Sequence, residues 1–255
     1  MNILDIKNCT ICYQNGTPAV SDVSLSVSEG EIVSIVGESG SGKTTLIRAV
    51  LGLLPPGGKI TGGEILFDGM DLVKADELQM QDIRGKEIAM IFQDSMTSLN
   101  PVMTIEKQMM EPFIIHQNMK KKQARQKALE MLKKVGIPSP EAKMKQYPHQ
   151  LSGGQRQRIM IAMALSCNPE ILIADEPTTA LDVTIQAQIV KLMKELQTNS
   201  GTSIILITHD MGIVAEMADE IMVMYAGNVV EKAEKRELFK NPMHPYTRGL
   251  LASIP

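Results

Sequence analysis

Two short segments carry most of the chemistry. Gly37-Glu38-Ser39-Gly40-Ser41-Gly42-Lys43-Thr44 repeats glycine and ends in a lysine and a threonine. A triphosphate needs many converging donors, and glycines let main-chain N–H groups approach where a Cβ would collide. A helix beginning near Lys43 turns its positive end toward the phosphates. Lys43 then supplies a mobile cation to the β- and γ-phosphates, the Thr44 hydroxyl ligates Mg²⁺, and Thr45 joins the cradle. The second segment, Ile171-Leu172-Ile173-Ala174-Asp175-Glu176, is an apolar run closed by two carboxylates. Such a strand delivers its acids to the C-terminal edge of a parallel sheet, where ligands sit in α/β folds. Asp175 suits a Mg²⁺ partner through water, and Glu176 suits a general base for the attacking water.

Both segments need strands before them and helices after. Glu31–Val36 is a nearly continuous apolar run, as a buried parallel strand requires. After the glycines, Leu46, Ile47, Val50 and Leu51 fall on one side of a helix, which Pro55-Pro56-Gly57-Gly58 is expected to end. Ile3 to Glu29 alternates and carries turn residues at Asn15, Gly16 and Pro18, so short antiparallel strands are predicted; Gly62–Asp71 reads as another hairpin. From about Met103 to Tyr147 β-branched residues thin out. Lys120–Val135 places Ala124, Ala128, Met131, Leu132 and Val135 at helical spacing, with its lysines on a solvated face. Beyond residue 155 the alternation resumes: helix Arg156–Ser166, strand Ile171–Ala174, helix Ile185–Gln197, strand Ile204–Thr208. The expectation is a doubly wound α/β core, a parallel sheet with helices, preceded by an antiparallel β part and interrupted by a helical insertion at about 94–165.

Composition narrows the classes. The 255 residues suit one α/β domain, with or without a subdomain. Lys and Arg total 26 against 29 Asp and Glu, a net charge of −3, which argues against a chain built to coat nucleic acid. With 3% aromatics and no Trp, base-stacking platforms are not expected either. No apolar run approaches the roughly 18–20 residues that span a bilayer, and no signal peptide opens the chain, so a membrane role has to come through a partner. Three cysteines are too few for a disulfide framework and fit a reducing compartment. Cys9 and Cys12 have zinc or redox spacing. In a strand over Leu4–Tyr13, however, an offset of three points them to opposite faces, and no second pair completes a zinc site. The 19 methionines read as core filler rather than metal ligands.

Leu151-Ser152-Gly153-Gly154-Gln155 resembles the signature of ABC-type ATPases, and other motifs follow in that family's order. Gln93, in Ile91-Phe92-Gln93-Asp94, resembles its Q-loop glutamine. Thr179-Ala180-Leu181-Asp182 resembles the D-loop, His209 the switch histidine, and Tyr13 the aromatic that stacks on adenine. The resemblance implies a P-loop ABC-type ATPase core with an N-terminal antiparallel β subdomain and a helical subdomain insertion, one nucleotide-binding domain over 1–255. Ser152, Gly153 and Gly154 open a helix whose N–H groups form an anion-binding end. The chain already has one such cradle, so the resemblance implies that this second one, with Gln155 and Asp182, serves the ATP of a partner subunit, two ATPs being clamped head to tail. It also implies that Gln93 and His209 sense the γ-phosphate, Gln93 with a share in Mg²⁺ at the joint with the insertion.

Phe92–Pro101, Tyr147–Ser152 and Asn241-Pro242-Met243-His244-Pro245-Tyr246-Thr247 further resemble ATP-binding subunits of bacterial oligopeptide, dipeptide and nickel importers, the last within a C-terminal segment at about 230–255. That resemblance implies ATP hydrolysis with Mg²⁺, a second identical or related ATP-binding chain, two membrane permeases and an extracellular solute-binding protein. It implies a peripheral place on the cytoplasmic face of the cell membrane, no nucleic acid partner, and a permease coupling helix docking on the insertion. It leaves open whether the solute is a peptide or nickel. Many peptide-type members continue into a Cys-bearing extension, whereas this sequence stops at Pro255; a natively short form and a cut chain both fit, so the resemblance carries no claim of an iron–sulfur cluster. Chromosome-maintenance ATPases share the signature but insert long coiled coils, and Lys43 to Ser152 holds no sustained heptads. Translation-associated members usually carry two motif sets, and one occurs here.

Overall fold

Apolar–polar alternation along the first thirty residues produces two long antiparallel strands. The computed structural model describes residues 1–14, 16–93, 98–178, 181 and 183–252. Strands β1 (Asn2–Cys12) and β2 (Pro18–Ser28) pair with each other, β1 also pairs with β4 (Lys59–Phe67), and β5 (Met70–Asp71) closes the order β2-β1-β4-β5. The alternation changes phase along the way. Leu4 and Ile6 are buried, then Cys9 and Ile11; Val20 is buried, then Val23, Leu25 and Val27. The shifts fall at Asn8 and Asp22, both left-handed (φ 50° and 51°), and Asn8 Nδ2 donates to Asp22 Oδ1 at 2.9 Å. An irregularity in each strand therefore keeps one face apolar where strict period 2 would turn it outward.

The chain divides into two compact units, Met1–Gln81 with Ser203–Pro255, and Asp82–Thr202. In the first, β3 (Ile32–Val36) runs parallel to β8 (Ser203–Ile207) and to β9 (Glu220–Tyr225), and β9 pairs antiparallel with β10 (Asn228–Glu234). Every residue of β3 and β8 is buried, which explains their predominantly apolar sequences. Helix α1 (Lys43–Val50) buries Leu46, Ile47, Ala49 and Val50. It stops earlier than the prolines suggested. Gly52 N donates to Ala49 O at 3.0 Å and Leu53 N to Arg48 O at 2.8 Å, a paired closure with Gly52 at φ 63°. The glycine, not Pro55, ends the helix.

Helix α2 (Glu77–Ile83) carries the chain into the second unit. There β6 (Ile88–Ile91) runs parallel to β7 (Ile171–Asp175), with α3 (Ile105–Ile115), α4 (Lys121–Lys134), α5 (Pro140–Met144), α6 (Gly153–Ala164) and α7 (Val183–Ser200). The apolar stripe of α4 is buried as expected at Ala124, Ala128, Leu132 and Val135, but Leu129 is buried where Met131 is only half-buried. Helix α6 begins three residues before the expected Arg156, because Ser152 caps it.

The C-terminal part holds elements that local sequence pattern leaves unassigned. Strands β9 and β10 are followed by α9 (Lys235–Lys240) and α10 (Pro245–Ala252), and α8 (Met211–Met217) precedes them. Val36, Met211, Val214, Ala218, Ile221, Val223 and Leu238 form one buried cluster, with Tyr246, Leu250 and Leu251 packed on it. The architecture is α/β: an antiparallel β part plus a mixed, mostly parallel set of strands with helices. Cys9, Cys12 and Cys167 are free thiols. Burial pushes the Cys9 thiol up to about 11, and Cys12 Sγ lies 3.5 Å from Thr61 Oγ1. Among the described residues no helix is long and apolar enough to cross a membrane, and no group of His, Cys, Asp and Glu could by itself hold a metal.

Candidate nucleotide site

The glycine-rich loop leaves β3 at Val36 and enters α1 at Lys43. Gly37 (φ 148°) abuts the Met224 carbonyl of β9, and a Cβ there would overlap it. At Gly42 (φ 98°) a Cβ would stand 2.6 Å from Ala19 O. The loop is thus pressed against neighbouring backbone on two sides. Gly227, in the β9–β10 turn, also donates its N–H to Ser41 O at 3.1 Å. Helix α1 has no side-chain cap and no acid in its first turn, so its N-terminus keeps the anion-attracting character that a phosphate uses.

Lys43 is 6% exposed. Its Nζ donates to Gly37 O at 2.8 Å, Glu38 O at 2.7 Å and Ser41 Oγ at 3.2 Å. Three loop oxygens therefore hold a nearly buried cation at the centre of the turn, which offsets its desolvation. Ser39 and Gly40 are exposed at the tip, and Thr44 and Thr45 are half-buried at the helix start. The Glu38 N–H is taken by the hydroxyl of Tyr246 at 2.9 Å.

His209 stands two residues beyond the end of β8, after Thr208, and is exposed. Thr208 Oγ1 accepts from Asp210 N at 3.0 Å, and Asp210 Oδ1 caps α8 by accepting from Gly212 N at 2.8 Å and Ile213 N at 3.2 Å. These bonds on either side hold the backbone that carries the imidazole. Ile35 pairs with Ile207, so the phosphate loop and His209 leave two adjacent parallel strands at the same edge. Tyr13, at the end of β1, is half-buried against the turn at Gly58, where a Cβ would meet its Cε1 at 3.0 Å.

In the second unit, Asp175 ends β7 almost fully buried, at 2% exposure. Glu176 follows with φ 47°, a left-handed backbone that costs a non-glycine residue about 1–3 kcal/mol and tends to mark working sites. Gln93 Nε2 donates to Glu176 Oε2 at 3.0 Å. Strand register explains the meeting: Ile91 pairs with Ala174 in the parallel β6–β7 ladder, so the two side chains each stand two residues beyond the last pair.

Ser152 is exposed at the cap of α6. Its Oγ accepts from Gln155 N at 3.3 Å, and Gln155 Oε1 accepts from Ser152 N at 3.4 Å. This reciprocal cap presents the Gly153 and Gly154 end of the helix at the surface. One helical turn later the buried Gln157 donates to Pro177 O at 2.7 Å, joining the signature helix to the residue after Glu176. Asp182, with Asp94, Thr179 and Ala180, lies outside the described residues. Sequence reasoning missed the contacts that Gln157 and Tyr246 make with these segments. Tyr246 had a signal, its motif at Asn241–Thr247, but nothing local says which backbone its hydroxyl reaches.

Residues 20–179 match the family described as ABC transporter, and residues 230–255 match the one described as Oligopeptide/dipeptide transporter, C-terminal region. The chain is similar to the oligopeptide transport ATP-binding protein AppD of Bacillus subtilis (strain 168), with 58% identity over 257 residues, 99% of this chain and 78% of that protein. It is also similar to OppD of the same organism, at 54% identity over 257 residues, 99% and 72% of the two chains. Among solved structures, a dimeric post-hydrolysis state of the ATP-binding cassette MJ0796 bound to ADP and Pi covers 91% of this chain and 99% of that one, at 34% identity and a TM-score of 0.83. Taken together, the two family matches place this chain in the ABC transporter family, as an ATP-binding ATPase subunit of the oligopeptide/dipeptide type.

Proposed function

We propose that this subunit hydrolyses ATP in a head-to-tail pair with a second ABC ATPase chain and thereby energises peptide import. The observation that carries the hydrolytic reading is the Glu176 carboxylate, held by Gln93 at 3.0 Å on a left-handed backbone at the end of β7. A carboxylate so oriented can take the proton of an attacking water. Lys43 and the loop N–H groups bind the β- and γ-phosphates, Gly37 through Thr45 form the cradle, Tyr13 stacks on adenine, and His209 contacts the γ-phosphate. Ser152, Gly153, Gly154, Gln155 and Asp182 complete the site of the neighbouring chain. The dimeric state of the MJ0796 cassette supports that pairing.

The residues offered to Mg²⁺ are Thr44 through its hydroxyl, Gln93 through its amide oxygen and Asp175 through its carboxylate, an all-oxygen set of the kind this hard cation takes. Gln93 uses Nε2 on Glu176, which leaves Oε1 as its ligating end. When bound, Mg²⁺ neutralises charge on the transferring phosphoryl group.

The partners in this reading are two membrane permeases and an extracellular solute-binding protein, with the subunit peripheral on the cytoplasmic face. The names of the relatives and of the C-terminal family favour peptides over nickel, and they favour transport over the chromosome and translation classes. The test compares two variants of the full chain. Glu176→Gln should keep ATP affinity, lose at least about a hundredfold in phosphate release, and accumulate an ATP-bound dimer. Lys43→Ala should lose ATP binding. Full turnover by Glu176→Gln would remove the general-base assignment.

A further inference from the structure

The segment Asn241–Thr247 is tied to the phosphate loop by a chain of contacts within the first unit. Glu231, on β10, accepts from Met243 N at 2.8 Å through Oε1 and from His244 N at 2.9 Å through Oε2. His244 Nδ1 accepts from Tyr246 N at 3.1 Å, which fixes the first turn of α10. The Tyr246 ring lies against Tyr225 at the end of β9, with centroids 4.7 Å apart and planes inclined by 48°. It also packs on the cluster that contains Val36, the last residue before the loop, and Met211 and Val214 of the helix after His209. Its hydroxyl then takes the Glu38 N–H at 2.9 Å.

Glu38 is therefore held at both ends of its own backbone. Tyr246 takes its N–H, and Lys43 donates to its carbonyl at 2.7 Å. A residue pinned in this way cannot swing its carbonyl away from the lysine, and the adjacent glycines would otherwise leave the turn free to sample many conformations. We propose that Tyr246 is a positioning residue for ATP binding, its hydroxyl fixing the first turn of the phosphate loop so that the Lys43 ammonium stays where the phosphates need it. A phenol is well matched to this role, because burial raises its pKa and it remains a neutral acceptor. Its ring supplies the packing and its oxygen the alignment, two contributions that substitution can separate.

The inference rests on Gly37–Thr44 being the ATP cradle, so the test carries a control for that reading. Tyr246→Phe keeps the ring contacts and removes only the oxygen. In the full chain it should weaken ATP affinity about threefold to tenfold, the worth of one hydrogen bond, and speed hydrogen exchange at the Glu38 amide. The Met243 and His244 amides should stay protected. Unchanged affinity and unchanged Glu38 exchange, with Lys43→Ala still losing ATP, would overturn the proposal and leave the cradle intact. If exchange rises throughout α10, Tyr246 is a packing residue and the positioning claim fails. If Lys43→Ala binds ATP normally, the cradle reading falls and the proposal falls with it.

Discussion

Gln93 and Glu176 meet at 3.0 Å, Nε2 to Oε2, because β6 and β7 end in register. A neutral amide beside the carboxylate orients it without altering its charge. Gln93→Glu would set two carboxylates at that distance, and like charges so close keep one proton to higher pH. The acid limb of the ATPase pH profile should move upward in Gln93→Glu. In Gln93→Ala the rate should fall and the limb should move upward by less, because that change removes only the N–H that favours the ionised carboxylate. Steady-state phosphate release across about pH 5–9 reads both.

Ser152→Ala removes the hydroxyl that accepts from Gln155 N at 3.3 Å. Loss of such a cap costs about 1 kcal/mol, visible as a modest drop in denaturant midpoint. ATP binding by the isolated chain should be unaffected, because this cradle is proposed to serve the neighbour. ATP-dependent pairing, followed by sedimentation, and turnover should both fall. Retained pairing with full turnover would count against the shared site.

Gly42→Ala tests the close approach behind the loop. The residue has φ 98°, and a Cβ there would stand 2.6 Å from Ala19 O and 3.2 Å from Val20 Cγ2. A left-handed alanine and a backbone overlap together should cost about 2–4 kcal/mol in urea unfolding, with ATP affinity lost in the same variant.

Glu231 gives the C-terminal segment a pH dependence with a definite sign. Burial opposes its ionisation, but the N–H groups of Met243 and His244 prevail and hold its pKa below the ordinary 4.5. The stability it contributes is present above the unfolded value and is lost as pH falls through the folded one. Protection factors at the Met243 and His244 amides should stay level from about pH 7 to 5 and decline below 4.5. Glu231→Gln should lower them and flatten that decline.

The strands that read most clearly, β3, β7 and β8, are fully buried, so their sequences are nearly continuous apolar runs, broken only by Ser34 and by a polar residue at one end of β7 and of β8. Helix α4 read nearly as well because its stripe follows helical spacing. The hairpin of β9 and β10 went unread although it backs the loop at Gly37 and Ser41. Its second strand mixes half-buried and exposed residues without strict alternation, with Val229, Val230 and Glu231 half-buried in a row, and so carries little local pattern. The phase changes at Asn8 and Asp22 were equally hidden, since each residue's backbone answers to the other strand.

What the residues determined alone was the chemistry: a glycine loop with its lysine, an acidic strand end and a serine-led helix start, each a local motif whose backbone requirements are written in its own amino-acid types. What tertiary structure decided were the partners that local pattern cannot name. Gln93 finds Glu176 through strand register, Gln157 finds Pro177 across helix packing, and Tyr246 reaches Glu38 from 208 residues away in sequence. A hydrogen bond depends on where two atoms are brought in space, and sequence spacing specifies that only within a single turn or strand.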